Sequence, residues 1–198
     1  MKTGAGTGAD AVLLATAAAS ESEAVARLER RLREAAVVFL RTPAAAAREA
    51  ASRCLEELAD ESAADAAYVA IARARTARLE EVLAASRGGL GELGARTLPA
   101  LSSVAETAAR SGLAFEHPVA ESARMSADVL RELDACGLRS LRWVVRADAR
   151  GTLLVVGLHA TRRASYWTPR RRHLHDGVAE ILLAALPRIR QKRGQAPF

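Results

Sequence analysis

The chain has 198 residues, 50% of them hydrophobic and 26% charged, with a formal net charge of +6. That length holds one domain with an adjoining helix and needs no staples, and the composition excludes wholesale disorder. No apolar run reaches the roughly 20 residues of a membrane-spanning helix.

Two cysteines, Cys54 and Cys136, cannot make a four-thiolate zinc site or a disulfide scaffold, so a reducing, cytoplasmic setting is expected. Lys2 and Lys192 are the only lysines among 29 basic side chains. With the heavy use of alanine, this reads as the codon bias of a GC-rich genome more than as selection for phosphate contacts. Two basic clusters stand out: Arg170, Arg171 and Arg172, and then Arg188, Arg190, Lys192 and Arg193. Aromatic residues at 4% are too sparse for a base-stacking platform.

Residues 1–19 imitate a secretory signal, but Asp10 and the glycines before it fit that poorly, and a disordered leader is expected. Ser20 and Glu23 form a capping box that opens a helix over 20–41. Val25, Leu28, Leu32, Ala35 and Phe39 then recur at spacings of three and four, a heptad seam. The seam is either half of a short coiled coil or one face lying on the domain. Val25, Leu28, Leu32 and Phe39 are the candidate dimer-interface residues.

Pro43, lacking the amide that a first turn leaves unpaired, opens a second helix over about 43–59. Residues 66–73 and 78–86 read as a strand hairpin. Gly88, Gly89, Gly91 and Gly94 lack the context of a phosphate loop and read as a flexible connection. A helix over about 98–111 starts at Pro99 and stops at Gly112. An extended piece, 113–119, leads to a helix over about 127–136 with Ser126 at its cap and Gly137 past its end.

The strongest local pattern follows: β-rich runs at 138–147 and 152–161 joined by a turn ending in Gly151. Leu141, Trp143 and Val145 share one face, opposite Leu138, Ser140, Arg142 and Val144. The second run is apolar on both faces, so the sheet is expected to be covered on both sides. Thr168 caps a terminal helix whose stripe is Leu174, Val178, Ile181, Leu182 and Ala185. Pro187 kinks or ends it, and a basic flexible tail, 188–198, follows.

This element order, with its local sequence, resembles the GAF domain. The likeness rests on Gly137, Leu138, Arg139, Ser140 and Leu141, then Gly151, Leu153, Leu154, Val156, Gly157 and Leu158, and finally Arg163 and Trp167. These match the pattern G-[IVL]-R-S-L, a turn, then G-x-L-x-x-x-G-L, and a tryptophan before the last helix. The match covers about residues 44–187, within a GAF-like domain of 42–187. Family members usually carry proline and leucine where Arg146 and Ala147 stand.

The resemblance implies an α+β fold with a central antiparallel sheet of five or six strands between helices, preceded by an extra N-terminal helix. It implies a small-molecule or dimerisation module of bacterial signalling. The candidate pocket residues are Tyr68, Phe115, His117, Ser140, Arg142 and His159. A homodimer is expected, with a possible small-molecule ligand and a signalling output protein as partners.

Individual motifs narrow the chemistry. Bilin-binding members use a cysteine commonly followed by histidine, whereas Cys54 precedes Leu55 and Cys136 precedes Gly137. The cysteine set of the methionine sulfoxide reductases and the NKFDE signature of cyclic-nucleotide binders are both missing. His117 and His159 each stand alone, and a hydrogen-bonded structural role is the simpler reading. His173 and His175, two apart on a helix, cannot chelate one ion and read as surface residues. Arg142, if buried, demands an anionic partner, with an internal salt bridge the simpler case. No cofactor or metal is assigned, and no catalytic set has motif support. The expected function is a sensory or regulatory module. The alternatives are a ligand-free interaction adaptor and a nucleic-acid-associated transcription regulator.

Overall fold

The computed structural model describes residues 43–73, 76–96, 98–117, 126–148, 151–162 and 167–190, with 32–39 and positions 23, 26, 27, 30 and 41 ahead of them. The expected leader, capping serine, Val25, Leu28, Lys192 and Arg193 lie outside the described residues.

Residues 32–39 are helical. Helix α1 (Ala44–Ser62) starts at Pro43, whose carbonyl accepts the amides of Ala46 and Ala47, and ends where Ala63 turns left-handed at φ 52°. Strands β1 (Ala66–Arg73) and β2 (Arg78–Ala84) form the expected hairpin. Helices α2 (Glu92–Ala95), α3 (Pro99–Ser111) and α4 (Ala127–Ala135) lie either side of β3 (Phe115–His117) in sequence. Strands β4 (Ser140–Ala147) and β5 (Leu153–Ala160) precede helix α5 (Pro169–Arg190).

The five strands form one antiparallel sheet in the order β2-β1-β5-β4-β3. β5 is central, and all eight of its residues are buried, as its two apolar faces require. One face carries Val69, Ile71, Val144, Val156 and Leu158 against Leu55 and Leu58 of α1 and Val178, Leu182 and Leu186 of α5. The other carries Tyr68, Leu141, Trp143 and Val155 against Leu93, Leu101, Val129 and Leu133 of α2–α4. Each fully buried leucine contributes about 1.5–3 kcal/mol by leaving water. The chain thus adopts an α+β fold with a five-stranded antiparallel sheet walled on both sides by helices. None of the described helices is long and apolar enough to cross a membrane.

The local signals hold at most boundaries. Ser126 accepts the amide of Val129, Thr168 accepts that of Arg171, and Gly112 and Gly151 sit at φ 70° and 75° where a helix and a hairpin turn. Two expectations fail. The glycine segment is an ordered turn: Gly88 bridges Ala85, and the Leu90 amide donates to Glu81 Oε2 at 2.8 Å before α2 begins. Helix α5 passes through Pro187 to Arg190, so the flexible tail does not begin at 188. Ile189 is buried and Arg188 donates to the Phe39 carbonyl, contacts that hold the last turn in place.

At the sheet margin β3 pairs only with Leu141, Arg142 and Trp143 of β4. Among the described residues the outer side of β4 from Val144 onward has no strand partner, and there Arg146 Nη1 donates to the Val145 carbonyl at 2.9 Å. Its other nitrogen pairs with Glu180 of α5.

Candidate functional site

Strand alternation divides the expected pocket residues between two faces. Directly paired residues project to the same side, so Tyr68, Gly157, Trp143 and Phe115 form one row on the α2–α4 face, and His159, Leu141 and His117 form the next. Tyr68 lies over Gly157: a Cβ there would stand 2.7 Å from Tyr68 Oη. Trp143 Nε1 donates to that hydroxyl at 2.8 Å, and burial raises the Tyr68 pKa, so the phenol stays neutral. Phe115 tilts against Trp143 with ring centroids 6.2 Å apart, and Tyr68 against His159 at 5.5 Å. Side chains therefore fill the middle of this face.

His117 and His159 flank Leu141 on neighbouring strands, with that fully buried leucine between them. Burial lowers both pKa values, His159 to about 4, so both rings are neutral at pH 7. Among the described residues no three His, Cys, Asp or Glu side chains are grouped to hold a metal.

Ser140 and Arg142 take the alternate positions and face α5, so they do not join Tyr68 or the histidines. Arg142 is 2% exposed. Its Nε donates to Glu116 at 2.8 Å and its Nη2 to Asp176 of α5 at 2.8 Å, while Arg172 grips Glu116 at 2.8–3.0 Å. The partner its burial demanded is thus internal, and the forked guanidinium ties β3 and β4 to α5.

His175 corrects the surface assignment: it is fully buried beneath the sheet, its Nε2 3.1 Å from the Val156 carbonyl. It belongs to the stripe of Val178, Ala179 and Leu182, which its spacing to them places on one face. Burial first, then the Arg142 charge, holds its pKa well below the usual histidine value. His173 is exposed, as expected.

The open concavity lies elsewhere. A cleft of about 1020 Å³ runs between α3 and α4, floored by Val104, Ala108, Phe115 and Val129 and rimmed by Ser103 and Arg131 among other polar residues. Of the expected pocket residues it takes only Phe115. At its end Glu132 of α4 accepts the Ala100 and Leu101 amides, both at 3.0 Å, so a carboxylate from one wall caps the helix of the other. Sequence reasoning missed this cleft because its walls are two amphipathic helices whose outer positions look merely solvent-exposed.

The remaining candidates are accounted for locally. Burial raises both thiols, Cys54 to about 11, so neither is a ready nucleophile. Within the basic cluster Arg170 pairs with Glu61 and Arg172 with Glu116, which removes much of its field for phosphate. Leu32 and Phe39, expected between protomers, pack within this one: Phe39 is 4% exposed, and a Cβ on Gly177 of α5 would stand 2.6 Å from Leu32 Cδ1. At Leu32 and Phe39 the seam lies on the domain.

These features define a two-sided sheet with a closed centre and an open cleft beside it. No known protein-family profile matches the chain, and no curated protein matches it. Among solved structures it is similar to the photoproduct state of GAF3 from Slr1393 of Synechocystis sp. PCC6803, at 16% identity and a TM-score of 0.48. That likeness covers 70% of this chain and 96% of the other, and it carries nothing about ligand or partner.

Proposed function

We propose that the chain is a GAF-like sensory or regulatory module that acts by binding rather than catalysis, and that its small-molecule site is the cleft between α3 and α4. The cleft itself carries this reading: at about 1020 Å³ it matches the upper range of ligand pockets and combines an apolar floor with a polar rim. Phe115, in its floor, precedes Glu116, which Arg142 and Arg172 bind to α5. An occupant that favours one position of Phe115 therefore favours one setting of α5, because a ligand shifts a population by its differential affinity.

Native mass spectrometry of protein purified from cells without denaturation tests this. A bound small molecule on the wild type, lost in Val104→Trp with its melting curve intact, supports the reading. Bare protein in both, with no compound of a metabolite panel raising the melting temperature, refutes it. The filled sheet centre, with Tyr68 over Gly157, supports a second reading as a ligand-free interaction module, and that same bare result is its expectation.

A further inference from the structure

The helix over 32–39 spends one face on its own protomer, through Leu32 and Phe39, and leaves another open. Val37 and Val38 are 45% and 50% exposed, and Glu34 and Arg41 are exposed beside them. The spacings 34, 37, 38 and 41 put all four on one side of a helix.

This face complements itself. In an antiparallel pairing of two copies about a twofold axis, the numbers of every facing pair share one sum. An axis between positions 37 and 38 sets Val37 against Val38 and Glu34 against Arg41, each twice. A parallel pairing in register would set Glu34 against Glu34 and Arg41 against Arg41. The face also overlooks a groove of about 670 Å³ between this helix and α1, with Glu34 and Val38 on one side and Cys54 and Glu57 on the other. An arginine arriving from a second copy meets four carboxylates there, Glu34, Glu57, Asp60 and Glu61, against one resident cation, Arg53.

We infer that a second copy of this chain docks on the Glu34–Val37–Val38–Arg41 face, with the two helices antiparallel. Residues 32–39 span only about 12 Å of helix axis, so the dimer is small and reversible.

Sedimentation of the full chain from micromolar to hundreds of micromolar tests the inference. The wild type is expected to pass from monomer to dimer. Glu34→Arg and Arg41→Glu, each turning both ion pairs repulsive, should weaken the dimer at least about tenfold. The double reversal should restore it, as should an equimolar mixture of the two single variants. Val37→Ser with Val38→Ser should also give monomer, with an unchanged circular dichroism spectrum because neither side chain is in the core. A wild type that stays monomeric, single variants that dimerise like it, or a double reversal that stays dissociated would each overturn the inference.

Discussion

Arg142 marks the reach and the limit of reading single residues. Its polar side chain amid apolar strand positions, Val144 two residues on and Trp143 and Leu141 on the opposite face, made its need for an anion legible. Its partners were not, because Glu116 and Asp176 lie 26 and 34 positions away and nothing local links them. Removing it strands Glu116 at the sheet with only Arg172. Arg142→Ala should lower the unfolding free energy by about 3 kcal/mol or more, read from the urea midpoint, the usual cost of breaking a buried pair. The buried histidines set the response to acid. His159 and His175 have folded-state pKa values below their unfolded values, so the unfolded chain binds more protons once the pH falls below about 6.5. Stability is therefore full above that pH and declines below it. His159, at about 4, accounts for about 3 kcal/mol of the loss by pH 4. Denaturant midpoints measured down the pH scale should fall less steeply in His159→Gln, and an equal slope would remove this account.

Elements were legible where capping and period agree. Ser126, Thr168, Pro99 and Gly112 fixed helix ends, and the alternation of 138–161 fixed a hairpin and its two faces. The glycine segment misled because glycine reads as freedom, whereas here the Glu81 carboxylate accepts the Leu90 amide and orders the turn. Pro187 reads as a kink or an end, and the helix runs on because Ile189 and Arg188 hold the next turn by contacts with distant parts of the chain. The cap of α3 is equally non-local. Glu132→Ala should cost about 0.5–2 kcal/mol, the ordinary range for losing a cap. It should also speed hydrogen exchange at Ala100 and Leu101 while leaving β5 unchanged, and equal exchange at both sites would show the cap to be idle.

For the whole molecule, the centrality of β5 followed from its sequence, since a strand apolar on both faces must lie inside a layer. The division of the candidate pocket did not. Alternation separated Ser140 and Arg142 from Trp143, but the side chosen by Tyr68, Phe115 and His117 depends on the pairing register, which comes from tertiary packing. The resulting order gives each strand a distinct protection. Amide exchange should be slowest in β5, β4 and β1, which pair within the sheet, and faster in β2 and β3 at its margins. Uniform exchange across all five would contradict that hierarchy.

The way Arg146 sits on the half of β4 that has no strand partner among the described residues bears on solubility. A strand flank with unsatisfied carbonyls and valine side chains is a template for recruiting foreign strands, the first step toward fibrous precipitation. A guanidinium bound to one of those carbonyls and tethered to Glu180 blocks that template with charge. Arg146 thus guards this stretch of β4 by charge and by its tie to α5, at the place where an incoming strand would have to pair.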